Sequence, residues 1–358
     1  MRETHISASE DGMQLIGCLV RILPNAGKSF LYKMLRKKNI LLNNKKAEGS
    51  EKLHKGDSIQ VYFSDETYEK FAGASVNSSV SSSLKSINKS KSTSNNKLTS
   101  NNKLTSNDKG SELGKWNSLV KVIYEDENIL IADKPVGLLS QKAKPDDVSL
   151  NDWLLDYLKI TSESIFRPSV CNRLDRNTSG MVLCSKSIKG AQYLSEILRD
   201  RSLHKFYITL VHGNLDSVLD KEAYLSKDSR NNIVTVKELK ADGSNPLSKK
   251  VDDCTLISTK AIPLKYNAAL NVTMVKVLLR TGKSHQIRAH LANLGYPLVG
   301  DAKYGDMVRN RTFRDRFGVR NQLLHASILE FPKDDSEYSE RVFISPQPEI
   351  YLSIMEAM

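Results

Sequence analysis

The sequence predicts an α+β protein: a small α+β unit, then a larger one built on a mainly antiparallel, mixed β-sheet with flanking helices. Three observations carry that prediction. Apolar residues alternate with the period of a strand in several separate segments, most plainly at 205–211. Segments with helical spacing fall among them irregularly, without the strand–helix–strand alternation of a doubly wound sheet. A polar stretch at 72–117 divides the chain, leaving compact units at 13–71 and 118–358.

In the first unit, Phe30, Leu31, Met34 and Leu35 follow helical spacing within a helix predicted over 24–39. Lys33, Arg36, Lys37 and Lys38 crowd the rest of that helix and its end. Ile40 to Leu42 reads as a short strand, with Asn43 and Asn44 as its turn. After Lys55-Gly56-Asp57, the residues Ile59, Val61 and Phe63 alternate as in a half-buried strand. A basic helix feeding a small sheet suits phosphate recognition in structured RNA, although a charge run on a helix is commonly just a solvated face.

Residues 72–117 are dominated by Ser, Asn and Lys, and repeat Ser-Asn-Asn-Lys-Leu-Thr in tandem at 94–99 and 100–105. Such a stretch has too little apolar surface to offset its ordering entropy, so a flexible linker is predicted. Seven lysines against Asp108 and Glu112 give it a net charge of +5, enough for a tether that also tracks phosphates.

In the second unit, Val120 to Tyr124 and Ile129 to Asp133 flank a polar turn and form a predicted hairpin. Ser187 is placed to cap a helix carrying Ala191, Leu194, Ile197 and Leu198 on one face. The segments 205–211 and 272–279 read as strands, and 284–294 as a helix stopped by Gly295.

Composition narrows the partners. Hydrophobic residues make up 39% and charged residues 26%, an ordinary globular balance. No apolar run reaches the ~18 residues of a membrane span, and the polar N-terminus lacks a secretory core. Cys18, Cys171, Cys184 and Cys254 are scattered without paired spacing, which fits a reducing cytoplasm and argues against a zinc site. A net charge of +12 favours a polyanion, above all nucleic acid.

Several catalytic patterns fail. Gly27-Lys28-Ser29 and Gly282-Lys283-Ser284 suggest phosphate loops, but Ile22 and Val277 stand where the first glycine belongs. His285 and His290 do not have metalloprotease spacing. What remains is Asn172-Arg173-Leu174-Asp175-Arg176-Asn177-Thr178-Ser179-Gly180, leading into the apolar strand Met181 to Cys184. A carboxylate between two arginines is held ionised by them and can attack an electrophilic carbon. On local chemistry alone, though, Asp175 reads more readily as a turn-organising residue.

Arg173-Leu174-Asp175-Arg176 with Thr178-Ser179-Gly180 resembles the signature of the RluA family of pseudouridine synthases. Lys205-Phe206-Tyr207 and Thr281-Gly282-Lys283-Ser284-His285-Gln286-Ile287-Arg288-Ala289-His290 match further motifs in the family's order. Lys134-Pro135, the 301–306 segment and Leu324-His325-Ala326 add to them, so the resemblance spans about 118–335. Residues 13–70 resemble the alpha-L RNA-binding motif, through Ser29 to Arg36, Ile40 to Asn43 and Lys55-Gly56-Asp57, although Gln14, Ile16 and Gly17 depart from its usual opening. With that motif in front, the arrangement is similar to the large-subunit ribosomal RNA synthases of the C type.

The resemblance implies that Asp175 is the nucleophile, that Tyr207 stacks on the uracil, and that Arg288 ion-pairs with the aspartate. Arg173 would fill the gap left by the flipped-out nucleotide. Arg176, Lys33, Arg36, Lys37 and Lys38 are candidate RNA contacts, and His285 and His290 are assigned to structure or RNA contact. A flipped base must be unstacked at a cost of a few kcal/mol, and a guanidinium replaces it better than an ammonium does. Isomerisation requires no cofactor, metal or nucleotide. The implied partner is large-subunit ribosomal RNA, with the protein a cytoplasmic monomer. Two departures stand out: Asn172 occupies a position where the signature has histidine, and Leu138-Leu139-Ser140-Gln141 lacks another histidine often seen there. Two other readings stand beside this one, a catalytically silent RNA-binding ribosome assembly factor and a synthase acting on transfer RNA.

Overall fold

The structure is a computed structural model that describes residues 1–72, 113–161, 164–228, 233–238 and 254–358. The predicted linker at 72–117 lies outside them except at its two ends. The described residues divide into two compact units, 1–72 with 161 and 164–166, and 113–160 with 167–358.

The first unit is a four-stranded sheet beneath two helices. Strands β1 (Arg2–His5), β2 (Ile40–Leu42), β3 (Lys45–Lys46) and β4 (Ser58–Val61) lie in the order β1-β4-β2-β3, all antiparallel. Asn43 and Asn44 both take positive φ, 51° and 61°, which is the backbone a two-residue hairpin turn requires. Helices α1 (Leu15–Ile22) and α2 (Lys28–Arg36) bury Leu15, Leu19, Leu31 and Leu35 with Ile40 and Ile59. A third helix, α3 (Asp65–Ala72), follows β4.

The helix predicted over 24–39 is shorter at both ends. Pro24 carries no N–H and follows α1, so residues 24–27 turn instead of coiling, and extended Gly27 opens α2. At the other end Lys37 caps the helix and Lys38 takes φ 60°. Lys33, Arg36, Lys37 and Lys38 are all exposed.

The second unit is an eleven-stranded sheet. It comprises β5 (Lys121–Glu125), β6 (Ile129–Lys134), β7 (Ser169–Val170), β8 (Ser179–Ser185), β9 (His204–His212), β10 (Leu219–Asp228), β11 (Ile233–Glu238), β12 (Cys254–Asn267), β13 (Val272–Leu279), β14 (Leu324–Glu330) and β15 (Val342–Ile344). The order is β11-β10-β12-β13-β9-β14-β8-β6-β5, with β15 on β14 and β7 on β8. Every pairing is antiparallel except β14 with β8, so the predicted α+β class with a mainly antiparallel, mixed sheet is what the chain adopts.

Helices α4 (Leu150–Tyr157) and α6 (Gln286–Asn293) pack on one face of this sheet; α5 (Ile188–Arg199), α7 (Met307–Phe317) and α8 (Glu349–Glu356) pack on the other. The central strands are therefore buried on both sides. In β8, Val182 and Cys184 join Trp153 and Ile287 while Met181 and Leu183 join Leu194 and Ile197. In β9, Tyr207 and Val211 face the first cluster, and Ile208 and Leu210 meet Phe313 and Tyr351. This is why 181–184 is continuously apolar and does not alternate. Ser187 caps α5 by accepting from the Gly190 N–H at 3.0 Å. Trp116, inside the predicted linker, is buried in the first cluster, so the compact unit already includes 113–117. Local polarity concealed this because the tryptophan's apolar partners, such as Leu138 and Leu150, come later in the chain.

Among the described residues, no helix is long and apolar enough to cross a membrane.

Candidate active site

Asp175 sits in the loop between β7 and β8, one turn before the only parallel pairing among the described strands. There Ser179 and Gly180 lie opposite His325 and Ala326. Gly180 has φ +110°, and a Cβ at that position would collide with the Ala326 carbonyl, so only glycine fits. Ser179 Oγ meets His325 Nδ1 at 2.9 Å, which ties the end of the loop to β14. The Thr178 N–H donates to the Asp175 carbonyl at 3.0 Å and closes the turn.

The backbone on either side of Asp175 is clamped by the loop after β6. Ser140 Oγ accepts from the Leu174 N–H and donates to the Leu174 carbonyl, both at 3.0 Å. The Gly137 N–H donates to the Arg176 carbonyl at 2.9 Å, and Arg176 Nε donates to the Gly137 carbonyl at 3.0 Å. Lys134, fully buried, donates to the carbonyls of Pro135, Leu138 and Arg176 at 3.0, 2.9 and 3.2 Å. Burial pushes this lysine down to about 7 against the pull of Asp175 and Asp133. Three carbonyl acceptors match the three N–H groups of the ammonium form.

Ser140 and Lys134 were not singled out by sequence reasoning. A serine in a loop carries no signal of its partner, and Lys134 stood out only as half of Lys134-Pro135. Ser140→Ala leaves the buried Leu174 N–H unpaired. It should destabilise the protein by about 1–3 kcal/mol, read from the urea midpoint, and loosen the segment that aims Asp175.

The charge partner of Asp175 is Arg288. Its Nη1 donates to Asp175 Oδ2 at 2.8 Å, while Nε and Nη2 form a fork on Asp301 at 2.6 and 2.9 Å. Asp301 is further fixed by the N–H groups of Lys303 and Tyr304 at 2.8 and 3.1 Å. Side-chain exposure falls from 27% at Asp175 through 7% at Arg288 to 0% at Asp301, so the chain of charges opens to solvent at Asp175. Burial alone would lower the basicity of Arg288, but the hydrogen bonds and charges of Asp301 and Asp175 more than offset it. No described residue donates to Asp175 Oδ1, which leaves that oxygen free to react.

The expectation that Arg173 and Arg176 bracket the carboxylate is corrected here. Adjacent side chains in this irregular loop diverge: Arg173 is exposed, and Arg176 turns to Gly137. The counter-ion arrives instead from α6, 113 positions away.

The motif around α6 serves to aim Arg288. Gln286 is buried and accepts from Thr281 Oγ1 at 2.9 Å and the Lys283 N–H at 3.1 Å, while its amide donates to the Ser258 carbonyl. His285 takes the left-handed conformation, φ 56°, just before the helix. Its Nδ1 meets the Tyr304 hydroxyl at 2.9 Å and its Nε2 lies 3.8 Å from Asp175 Oδ2, so it belongs at the site and not only to the scaffold. Burial pushes its basicity down, as does Arg288, while Asp175 pulls it up; the net direction is down, toward a neutral ring. His290 points elsewhere, to Thr259 Oγ1 at 3.0 Å.

Tyr207 faces the same cluster as α6 and is 6% exposed. Burial and the charge of Asp175 push its phenol well above the usual tyrosine range, so it enters any reaction as a neutral ring. Asn172 is not a site group: its Oδ1 accepts from the Leu183 N–H at 2.7 Å and closes the β7–β8 turn. Among the described residues there is no cluster of three or more His, Cys, Asp or Glu side chains able to hold a metal ion.

The model of the RNA pseudouridylate synthase family matches residues 128–293, a span holding Asp175, Tyr207 and Arg288. An uncharacterized RNA pseudouridine synthase of Mycoplasma genitalium is 30% identical over 321 residues, covering 88% of this chain and 84% of its own. The ribosomal large subunit pseudouridine synthase C of Vibrio cholerae is 27% identical over 336 residues, 93% of this chain and 90% of its own. Among solved structures, human RNA pseudouridylate synthase domain containing 4 superposes with a TM-score of 0.54 at 20% identity, over 68% of this chain and 94% of its own. At that identity the structural likeness is one of fold; the sequence relatives, matched over most of their length, carry the assignment. The chain belongs to the RluA family of RNA pseudouridine synthases, isomerases that convert uridine in RNA to pseudouridine.

Proposed function

We propose that the chain isomerises uridines of large-subunit ribosomal RNA, with Asp175 as the nucleophile. The observation that carries this is the asymmetric use of the Asp175 carboxylate. Arg288 fixes one oxygen and leaves the other open at the solvent end of a buried ion-pair chain. Attack by the open oxygen on the sugar carbon that carries the base forms a carboxylate ester as the bond from that carbon to N1 of uracil breaks and the base leaves with the electron pair. The freed base rotates and its C5 attacks the same carbon, displacing the Asp175 carboxylate; the C5 proton is then lost and N1 takes one up. Neutral Tyr207 supplies a flat apolar surface for the extruded ring, Arg288 holds the attacking carboxylate in place, and exposed Arg173 occupies the space the base leaves. The exposed Lys33, Arg36, Lys37 and Lys38 of the first unit, with Arg176, supply phosphate contacts. The Vibrio cholerae relative, named for the ribosomal large subunit, supports this address.

The test is tritium release from transcripts labelled at C5 of uridine. Release from a large-subunit ribosomal transcript, but not from transfer RNA, is the expected result. Release from transfer RNA alone would move the address, and binding without release from either would favour the assembly-factor reading.

A further inference from the structure

Lys205 lies two residues before Tyr207 on β9, so the two side chains share a face of the sheet, roughly 7 Å apart along the strand. Its ammonium reaches the turn after β13, within 3.9 Å of where a Gly282 side chain would begin. It is half-buried, yet among the described residues no carboxylate pairs with it and no acceptor takes its protons. The charge that acts on it is of its own sign, from exposed Arg201 in the turn between α5 and β9. Burial and Arg201 both push the lysine below its usual range. A half-buried cation with no counter-ion among the described residues is an arrangement an incoming anion completes.

We propose that Lys205 forms an anion site beside Tyr207 that takes a phosphodiester of the substrate strand next to the extruded nucleotide. This rests on the Asp175, Arg288 and Tyr207 arrangement described above being the reaction site. It assigns Lys205 a positioning role: it grips the backbone next to the target and does not touch the reacting atoms. The competing possibility is that Lys205 only lays its aliphatic stem over the core.

Lys205→Met keeps the stem and removes the charge; Lys205→Arg keeps the charge. In tritium release from a large-subunit ribosomal transcript, Lys205→Met should raise KM about tenfold with kcat within about threefold, and lower the salt slope of binding by nearly one unit. Lys205→Arg should restore most of the affinity. The melting temperature of free Lys205→Met should be equal to or above that of the wild type, because a half-buried charge without a counter-ion is gone. Unchanged KM and salt slope in Lys205→Met, or equal losses in Met and Arg variants, would overturn the proposal. Filter binding of Asp175→Asn with and without Lys205→Met separates the two readings. Absence of turnover in the wild type counts against the reaction, whereas equal RNA affinity in the two variants counts against the anion site.

Discussion

Replacing Asp175 with asparagine is expected to abolish tritium release, lowering kcat by at least about 10⁴-fold, with the fold intact. The amide is isosteric with the carboxylate but is not a nucleophile, and it brings no negative charge to Arg288. Structure survives because Arg288 keeps its two bonds to Asp301, and because the backbone around residue 175 is held by Ser140, Gly137 and Lys134 and not by the carboxylate. A melting temperature close to that of the wild type, together with retained RNA binding, would identify the loss as chemical. Turnover within tenfold of the wild type would remove Asp175 from the mechanism.

The second large effect is on stability. Asp301→Asn takes the charge from a fully buried carboxylate and leaves Arg288, 7% exposed, with a single anionic partner. Breaking a buried pair from one side costs about 3–5 kcal/mol, which for a unit of this size lowers the melting temperature by roughly 10 °C. Activity should fall about 100-fold as well, since Arg288 would lose the fork that aims it. The acid limb follows from the same pair. Burial pushes the Asp301 carboxyl up, but the bonds and charge of Arg288 with the N–H groups of Lys303 and Tyr304 outweigh it, so the net direction is down from 3.8. Its stabilisation is therefore complete above that ordinary value and is lost as pH falls through the lowered one; Asp301→Asn should flatten that limb. Denaturant titrations of both proteins between pH 7 and about pH 3 measure it, and superimposable curves would contradict the role given to Asp301.

Much of the fold was legible because it is written locally. The 272–279 strand, the Ser187 cap and the Asn43-Asn44 turn each depend on residues adjacent in sequence, and the structure places them as read. The Asp175–Arg288 ion pair was legible through motif resemblance. Composition around Asp175 pointed to the wrong arginines, because the counter-ion comes from a distant helix. Ser140, Lys134, His285 and Asp301 acquire their roles through partners outside their own segment or through a single left-handed backbone angle. Trp116 was misplaced for the same reason: its environment is tertiary.

The pairing of β8 with β14 has a consequence for assembly. Ser179 waits for His325, 146 positions later in the chain, and Gly180 leaves room for nothing but that strand's backbone. During synthesis the Asp175 loop is complete in sequence long before the strand that fixes it exists. Closing so long a loop is an entropic bottleneck, so recovery of activity on refolding should track this one event and lag behind formation of the local hairpins. The order of synthesis thus withholds the geometry around Asp175 until β14 has been made.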